Sequence, residues 1–578
     1  MKLAAVALDY DGTIAIDGAM DPAVRDAIAQ LRLHGIAVVL ATGRRLPDLT
    51  KVAGNLECFN AIVAENGAVL YFPESQRHTV IGHAPPPQFI EGMRGLGIEF
   101  AVGDSVVETD AVHALSVLRL IHSLELPLML AFNRGRLMML PPGIAKSIGL
   151  SRVLSTLRLS IHNALAIGDA ENDHDLLDAC EVGVAVEWGS AALRTVADEV
   201  IPGSGPSAVA PYLRGLTKQL RLSASQMGRR HLQLGHQLDG SPVQIAIRGR
   251  TVIIAGEPGS GKSWLAGLHC EQLILQGYCL CIIDPEGDYL SLEALPGVVV
   301  MGGSDPPPRA RELAQVLRYP DISIVIDLSR LSHQDKDEYL RELLPTLAAM
   351  RRQTGLPHKI LLDEAHYYLA APEGRQLIDA ELAGYILVTY RVSGIDEEVR
   401  SAADIVVMVT RETDAQEQQT LREMCEAAGA EVPESLFEEL GLSEAALLPG
   451  VEESHGRVRR FQIGPRLTAH VRHRAKYVDM PVSETQGFVF SRDGKPGPRA
   501  RSLKEFVDLL AELPDADLVP YLKRHDFSRW FGQVFRDCPL ATHIRRLESR
   551  IGVERPRDLI NDISQAVRAR YEMTPATV

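Results

Sequence analysis

The sequence predicts an α/β protein in three parts: a Rossmann-like domain with a small α/β cap, a parallel-sheet domain built on a phosphate-binding loop, and a C-terminal all-α module. Three observations predict it. Short apolar runs end in acids, hydroxyls or glycines, as strands of open α/β sheets do where they present ligand-binding groups. The run Thr251 to Ala255 enters a glycine-rich loop and is followed by a helical stretch, Trp264 to Leu275. From Ser502 onward, helical segments with capping residues replace the strands.

A length of 578 residues exceeds what one core serves. We place boundaries near 220 and 470, giving parts 1–220, 221–470 and 471–578, with the cap at about 83–140. A hydrophobic content of 46% and a mean hydropathy of -0.01 describe a globular chain. No apolar run approaches the ~18–20 residues of a spanning helix. Asp9 comes too early for a signal peptide, so the expectation is a cytoplasmic protein with no membrane partner. Seven cysteines without a C-x-x-C pair argue against a disulfide framework or structural zinc. Cys279 and Cys281 read as buried small hydrophobes. A net charge of -15 argues against a broad nucleic-acid footprint. A local basic channel is still compatible with it, and DNA is retained as a candidate partner.

In the first part a strand, Leu3 to Leu8, leads into Asp9-Tyr10-Asp11-Gly12-Thr13. Two carboxylates one residue apart at a strand end point into the same crevice, where one can bind metal and attack and the other can shuttle a proton. A second strand ends at Thr42-Gly43-Arg44, suited to holding a phosphate through a hydroxyl and amides. Lys146 supplies a cation, and a third strand ends in Gly168-Asp169-Ala170-Glu171-Asn172-Asp173. His113, His122 and His162 belong to none of these motifs and read as ordinary polar or surface residues.

The order D-x-D-G-T, T-G-R, K, G-D-x-x-N-D resembles the haloacid dehalogenase superfamily of phosphatases, specifically its Cof-like group with a type IIB cap. The resemblance covers about the first two-fifths of the chain. It implies that Asp9 is the nucleophile forming an aspartyl phosphate and that Asp11 is the general acid/base. It further implies Mg²⁺ held by Asp9, the Asp11 carbonyl and Asp169, with Asp173 beside them, a donor set suited to a hard ion. Thr42, Gly43 and Lys146 would bind the phosphoryl group, and Asn172 would orient phosphate or Lys146. The αββαββ pattern from about His83 to Leu140 looks like the group's cap. Such caps close over small substrates, so a phosphorylated small molecule or nucleotide is the expected substrate.

In the second part, Gly256-Glu257-Pro258-Gly259-Ser260-Gly261-Lys262-Ser263 has the form G-x-x-x-x-G-K-S. Its glycines let backbone N–H groups converge on phosphate oxygens, Lys262 neutralises β/γ charge, and the Ser263 hydroxyl suits Mg²⁺. A hairpin, His231 to His236 with Val243 to Ile247, precedes it. Another strand ends in Asp284-Pro285-Glu286-Gly287-Asp288-Tyr289, and a further one ends in Asp363-Glu364. Asp363 would hold Mg²⁺ through water and Glu364 would polarise the attacking water, which points to ATP hydrolysis.

These motifs, with the later Val388-Thr389-Tyr390-Arg391, look like the HerA/FtsK group of RecA-like ring ATPases, over about Leu232 to Arg411. The resemblance implies a homo-oligomeric ring, a hexamer. One departure is Tyr390, where that group usually places a γ-phosphate-contacting glutamine; Thr389 or Arg391 would have to substitute. Arginine-finger candidates are Arg375, Arg391 and Arg400, and spacing does not choose among them. That group usually carries a β-barrel before the ATPase, a place taken here by the phosphatase-like part.

The strip Arg457-Val458-Arg459-Arg460, Arg466, Arg472, His473, Arg474 and Lys476 is expected to pair with the acidic bulk of the chain. The terminal helices resemble a small module found at the ends of bacterial multidomain proteins, with an interaction or oligomerisation role. Trp530, Phe531 and Phe535 read as core.

The expected function is a bifunctional Mg²⁺-dependent phosphohydrolase and ring-forming ATPase, acting on small molecules, nucleotides or DNA. One alternative is a small-molecule phosphatase gated by a nucleotide-driven assembly module. Another is a nucleic-acid end-healing kinase-phosphatase.

Overall fold

The computed structural model describes residues 2–219, 221–222, 229–257, 259–370, 374–409, 414–427, 429, 440–441, 443–448, 458–469, 478, 482, 486–492, 495–535 and 537–571. Pro258, Arg457, Arg472, His473, Arg474 and Lys476 lie outside these residues, as do 220 and 223–228 at the boundary between the first two parts.

The first sheet has eight strands, in spatial order Glu199–Ile201, Val182–Val186, Ala164–Gly168, Ala5–Asp9, Ala37–Ala41, Ala61–Ala64, Val69–Phe72 and Arg77–Val80. Its first six strands run parallel and the last two turn back as a meander. Helices cover both faces: Pro22–Leu33 and Val209–Lys218 on one, Lys146–Thr156 and His174–Ala179 on the other. That is why Ala5–Asp9 and Ala164–Gly168 are buried at every position instead of alternating.

Between strand Arg77–Val80 and helix Lys146–Thr156 an αββαββ unit is inserted. Its sheet has the order Met129–Asn133, Arg136–Leu140, Val107–Asp110, Phe100–Val102. Helices Pro87–Gly95 and Ala114–Ser123 close over one face through Phe89, Met93, Val117 and Ile121.

The second sheet has eleven strands. Its parallel part runs Ile405–Met408, Val252–Ala255, Tyr385–Thr389, Lys359–Leu362, Leu280–Asp284, Ser323–Asp327, Val298–Gly302. Strand Tyr385–Thr389 therefore lies between the phosphate-loop strand and the strand leading to Asp363. The expected hairpin forms as His231–His236 with Pro242–Ala246. Arg459–Ile463 joins it to the rest of the sheet, so part of the basic strip is a strand. Arg460 is matched there by Glu444 at 2.9 Å, and Arg466 by Glu271 at 2.9 Å, the acidic pairing expected.

The C-terminal region holds helices Leu503–Glu512, Asp515–Arg524, Asp526–Gln533, Cys538–Glu548 and Pro556–Arg570. Phe488, Phe506, Phe527, Trp530 and Phe531 form their common core, with Phe535 packed at its edge. The hairpin Phe488–Arg492 with Lys495–Ala500, which the sequence reading left out, packs into the same core.

The two large sheets meet by the N-terminal ends of their strands. Asn163, just before strand Ala164–Gly168, faces His358 Nε2 at 3.1 Å, and Tyr278, just before Leu280–Asp284, donates to Glu181 at 2.8 Å. His162 stacks on Tyr278 with ring centroids 3.8 Å apart and is 3% exposed. Of the two readings given for His162, ordinary polar or surface, the surface one is corrected. Its ring is buried between the domains because Glu181 meets Nδ1 at 3.0 Å and the Gln276 carbonyl meets Nε2 at 2.8 Å. Each candidate site lies at the opposite, C-terminal end of its sheet, roughly 20 Å of strand beyond this junction.

Candidate active sites

In the first sheet, the adjacent strands Ala5–Asp9 and Ala164–Gly168 end side by side, which brings Asp9 to Asp169 and Asp173. One ligand atom from each of these three buried carboxylates lies within 4.8 Å of the others. Lys146, the first residue of its helix and fully buried, bridges two of them, with Nζ 2.5 Å from Asp9 Oδ1 and 2.7 Å from Asp173 Oδ1. Asp173 Oδ2 accepts the Asp169 and Ala170 amides at 3.0 Å, so the turn after the strand is fixed by its own carboxylate. Thr13 Oγ1 donates to Asp169 at 3.0 Å.

The electrostatics follow from burial. Burial and the Asp173 charge push Asp9 well above the usual carboxylate range, and the same two causes raise Asp169. For Lys146 burial works against the charge, but Asp173 and Asp9 outweigh it and raise its pKa. Three crowded carboxylates make an oxygen-donor set that a hard divalent cation fits. Asn172 donates Nδ2 to Asn66 Oδ1 at 3.3 Å, while its Oδ1, an acceptor, is buried with no hydrogen-bond partner among the described residues and is open to a donor rather than to a phosphate oxygen.

Thr42 follows strand Ala37–Ala41, is buried, and accepts the Arg44 amide at 3.1 Å through Oγ1. Gly43 lies against Met138 of the inserted unit, where a Cβ would come 3.2 Å from the sulfur. Asp11 is held apart from the carboxylate cluster by a two-pronged pair with Arg44, at 2.6 and 2.7 Å. Trp188 Nε1 donates to the Gly12 carbonyl at 2.6 Å and so supports the same loop.

Three participants were given no role by the sequence reading. Arg134, at the tip of the inserted hairpin, forms an ion pair with Asp169. Glu65, at φ 49°, accepts the amides of Asp104, Ser105 and Val106 and so ties the inserted unit to the sheet. Asp288, buried, accepts from Ser263 Oγ at 2.8 Å in the second site. Only Asp288 left a signal, its place four residues after Asp284.

In the second sheet, strand Val252–Ala255 enters the loop and helix Lys262–Leu275 leaves it. Gly259 (φ 77°) and Gly261 (φ 112°) take backbone angles closed to most side chains, which lets the loop curl around the helix N-terminus. Gly256, Glu257 and Ser260 complete the described part of the loop. Lys262 Nζ sits 3.1 Å from Glu364 Oε1, and both are buried. Asp363 follows strand Lys359–Leu362 and accepts the Glu364 amide at 2.8 Å, while Glu364 adopts φ 49°. The Asp284 carboxylate accepts the amides of Gly287, Asp288 and Tyr289 at 2.7–3.0 Å, folding the turn that aims Asp288 at Ser263. Burial and Asp288 push Asp284 up to about 7.

His366 Nδ1 lies 3.6 Å from Glu364. Thr389 Oγ1 donates to the Arg391 carbonyl at 2.9 Å, and the Arg391 guanidinium lies 4.9 Å from the Tyr390 ring. Each arginine-finger candidate is engaged within its own chain: Arg375 with Glu398, Arg391 with Asp414, and Arg400 with the Ile395 carbonyl at 3.1 Å.

Two stretches of the chain are similar to known families. Residues 6–88 and 120–213 match the haloacid dehalogenase-like hydrolase family, and residues 232–373 match the central domain of helicase HerA. The chain is 32% identical over 224 residues to the phosphoglycolate phosphatase of Haloarcula marismortui, covering 36% of this chain and 95% of that protein. It is 28% identical over 236 residues to the phosphoglycolate phosphatase of Methanopyrus kandleri, covering 37% and 97%. A crystal structure of a haloacid dehalogenase-like hydrolase from Bacteroides thetaiotaomicron is 19% identical, covers 37% of this chain and 100% of its own, and has a TM-score of 0.34. With the strands that lead to Asp9 and Asp169 in register and nearly all of the Haloarcula protein's length matched, the chain belongs, through residues 6–213, to the haloacid dehalogenase-like hydrolase family.

Proposed function

We propose that the chain is a two-site enzyme: a Mg²⁺-dependent phosphomonoesterase acting through Asp9, joined to an ATP hydrolase of HerA type that assembles as a homo-oligomeric ring. The domain limits we propose are 1–220, with a type IIB cap at about 83–140, then 221–470 and 471–578. The observation that carries the first activity is the buried Lys146 ammonium, bridging Asp9 and Asp173 beside Asp169.

Asp9, Asp169 and Asp173 would hold the Mg²⁺, which supplies positive charge to a phosphate bound against these carboxylates. Lys146 and the Thr42 hydroxyl hold the phosphoryl oxygens, and the Asn172 amide is poised beside them. Asp9 attacks phosphorus and becomes the aspartyl phosphate as the ester oxygen leaves. Asp11 gives that oxygen its proton, then takes one from the water that hydrolyses the acyl phosphate. For this, Asp11 must exchange its Arg44 partner for the leaving group. The relatives' names and the inserted unit over the crevice together favour a small phosphorylated acid such as 2-phosphoglycolate as substrate.

In the second site the loop amides and Lys262 would bind the ATP phosphates, Ser263 and Asp363 the accompanying Mg²⁺, and Glu364 orients the water. Support comes from the HerA match and from the Lys262–Glu364 pair, which separates when phosphate draws the lysine away. The test of the phosphatase reading is release of p-nitrophenol from p-nitrophenyl phosphate with Mg²⁺. Asp9→Asn should abolish it, and equal rates in parent and variant would overturn the reading.

A further inference from the structure

The hairpin Met129–Asn133 with Arg136–Leu140 ends in a two-residue turn, Arg134-Gly135, whose first residue sits at φ 52°. A non-glycine residue in that region is uncommon and needs a local reason. The reason here is contact with the other domain layer. The Arg134 amide donates to Glu171 Oε2 at 3.2 Å, pinning the hairpin tip to the loop after strand Ala164–Gly168. The guanidinium then reaches Asp169, a fully buried carboxylate, while its own side chain stays 57% exposed at the crevice mouth. It passes through the space that a Cβ at Gly12 would fill, so position 12 must stay bare for the arginine to enter.

Arg134 is the counter-charge of Asp169 in this structure. A divalent ion held by Asp169 would take that partner from the guanidinium and leave it tethered by the Glu171 contact. It would then be a fork of five donors beside the phosphate site, on the side from which the inserted unit approaches, while the other carboxylates that act on it, Asp9 and Asp11, are paired with Lys146 and Arg44. A planar guanidinium matches a carboxylate two-pronged. Resting on the phosphatase reading above, we propose that Arg134 is the specificity residue for an anionic leaving group: it receives the carboxylate of a small phosphorylated hydroxy acid, and metal binding is the event that frees it.

The experiment compares the parent, Arg134→Ala and Arg134→Lys on 2-phosphoglycolate and on p-nitrophenyl phosphate, whose leaving group carries no carboxylate. Mn²⁺ binding to the substrate-free proteins is measured in parallel by calorimetry. Loss of a charge-assisted pair predicts that kcat/KM for 2-phosphoglycolate falls about 10- to 100-fold in Arg134→Ala, chiefly through KM. With Mg²⁺ saturating, the loss on p-nitrophenyl phosphate should be at least about tenfold smaller than that on 2-phosphoglycolate, Arg134→Lys should recover part of the loss, and Mn²⁺ should bind more tightly to Arg134→Ala because its competitor is gone. Equal losses on both substrates, or unchanged Mn²⁺ affinity, would overturn the proposal. A parent that hydrolyses neither substrate would instead overturn the phosphatase reading on which it rests.

Discussion

Tyr278 of the second sheet donates its phenol to the Glu181 carboxylate of the first at 2.8 Å, and the same carboxylate meets His162 Nδ1 at 3.0 Å. The two large sheets thus share one buried polar node at the ends of their strands farthest from either candidate site. Tyr278→Phe keeps the ring that stacks on His162 but removes the donor to a buried charge. That should cost about 1.5–3 kcal/mol, read as a lower midpoint in urea unfolding. An unchanged midpoint would show the node to be incidental.

Lys359 gives a pH-dependent counterpart. Its ammonium donates to the Ile247 and Arg250 carbonyls at 2.8 and 2.9 Å, and burial, reinforced by the Arg351 charge, pushes it down to about 7. In the unfolded chain the same amine titrates near 10.4. Between about pH 7 and 10 the unfolded state therefore binds more protons, and this group's contribution to stability rises with pH across that window. Lys359→Met should flatten the rise in unfolding midpoint from pH 7 to 9; a parent and variant with parallel slopes would contradict the assignment.

Crowded carboxylates predict a response to metal. Burial and Asp173 raise both Asp9 and Asp169, a cost that a divalent ion at Asp9, Asp169 and Asp173 relieves. Saturating Mg²⁺ at ~100 times its dissociation constant should add about 2.7 kcal/mol to the fold that binds it. Asp169→Asn should lose most of that gain, and chelation should stop ester hydrolysis in the parent. A thermal midpoint indifferent to Mg²⁺ in both proteins would argue against the site.

What the sequence revealed and what it hid divide along physical lines. The phosphate loop is legible because its glycines and lysine act through backbone geometry at fixed spacing, and strand ends such as Asp9 and Asp169 announce themselves as apolar runs meeting acids. Arg134 and Glu65 were invisible because their roles exist only when the inserted unit folds against the first sheet, bringing residues distant in sequence together. For the same reason the sequence left open whether His162 lies at the surface: a lone histidine carries no mark of the Tyr278 and Glu181 that bury it. The hairpin at Lys495–Ala500 was hidden by Pro496 and Pro498, residues that ordinarily argue against a strand.

The arrangement with both sites turned away from a shared junction predicts that each reaction depends on its own residues alone. The direct test measures p-nitrophenyl phosphate hydrolysis and ATP hydrolysis side by side in the parent, Asp9→Asn and Lys262→Ala. Asp9→Asn should lose at least about a thousandfold in ester hydrolysis and keep its ATPase rate, while Lys262→Ala should do the reverse. If Asp9→Asn retained ester hydrolysis, or if Lys262→Ala slowed ester hydrolysis as much as it slowed ATP hydrolysis, two independent active sites would be the wrong description of this protein.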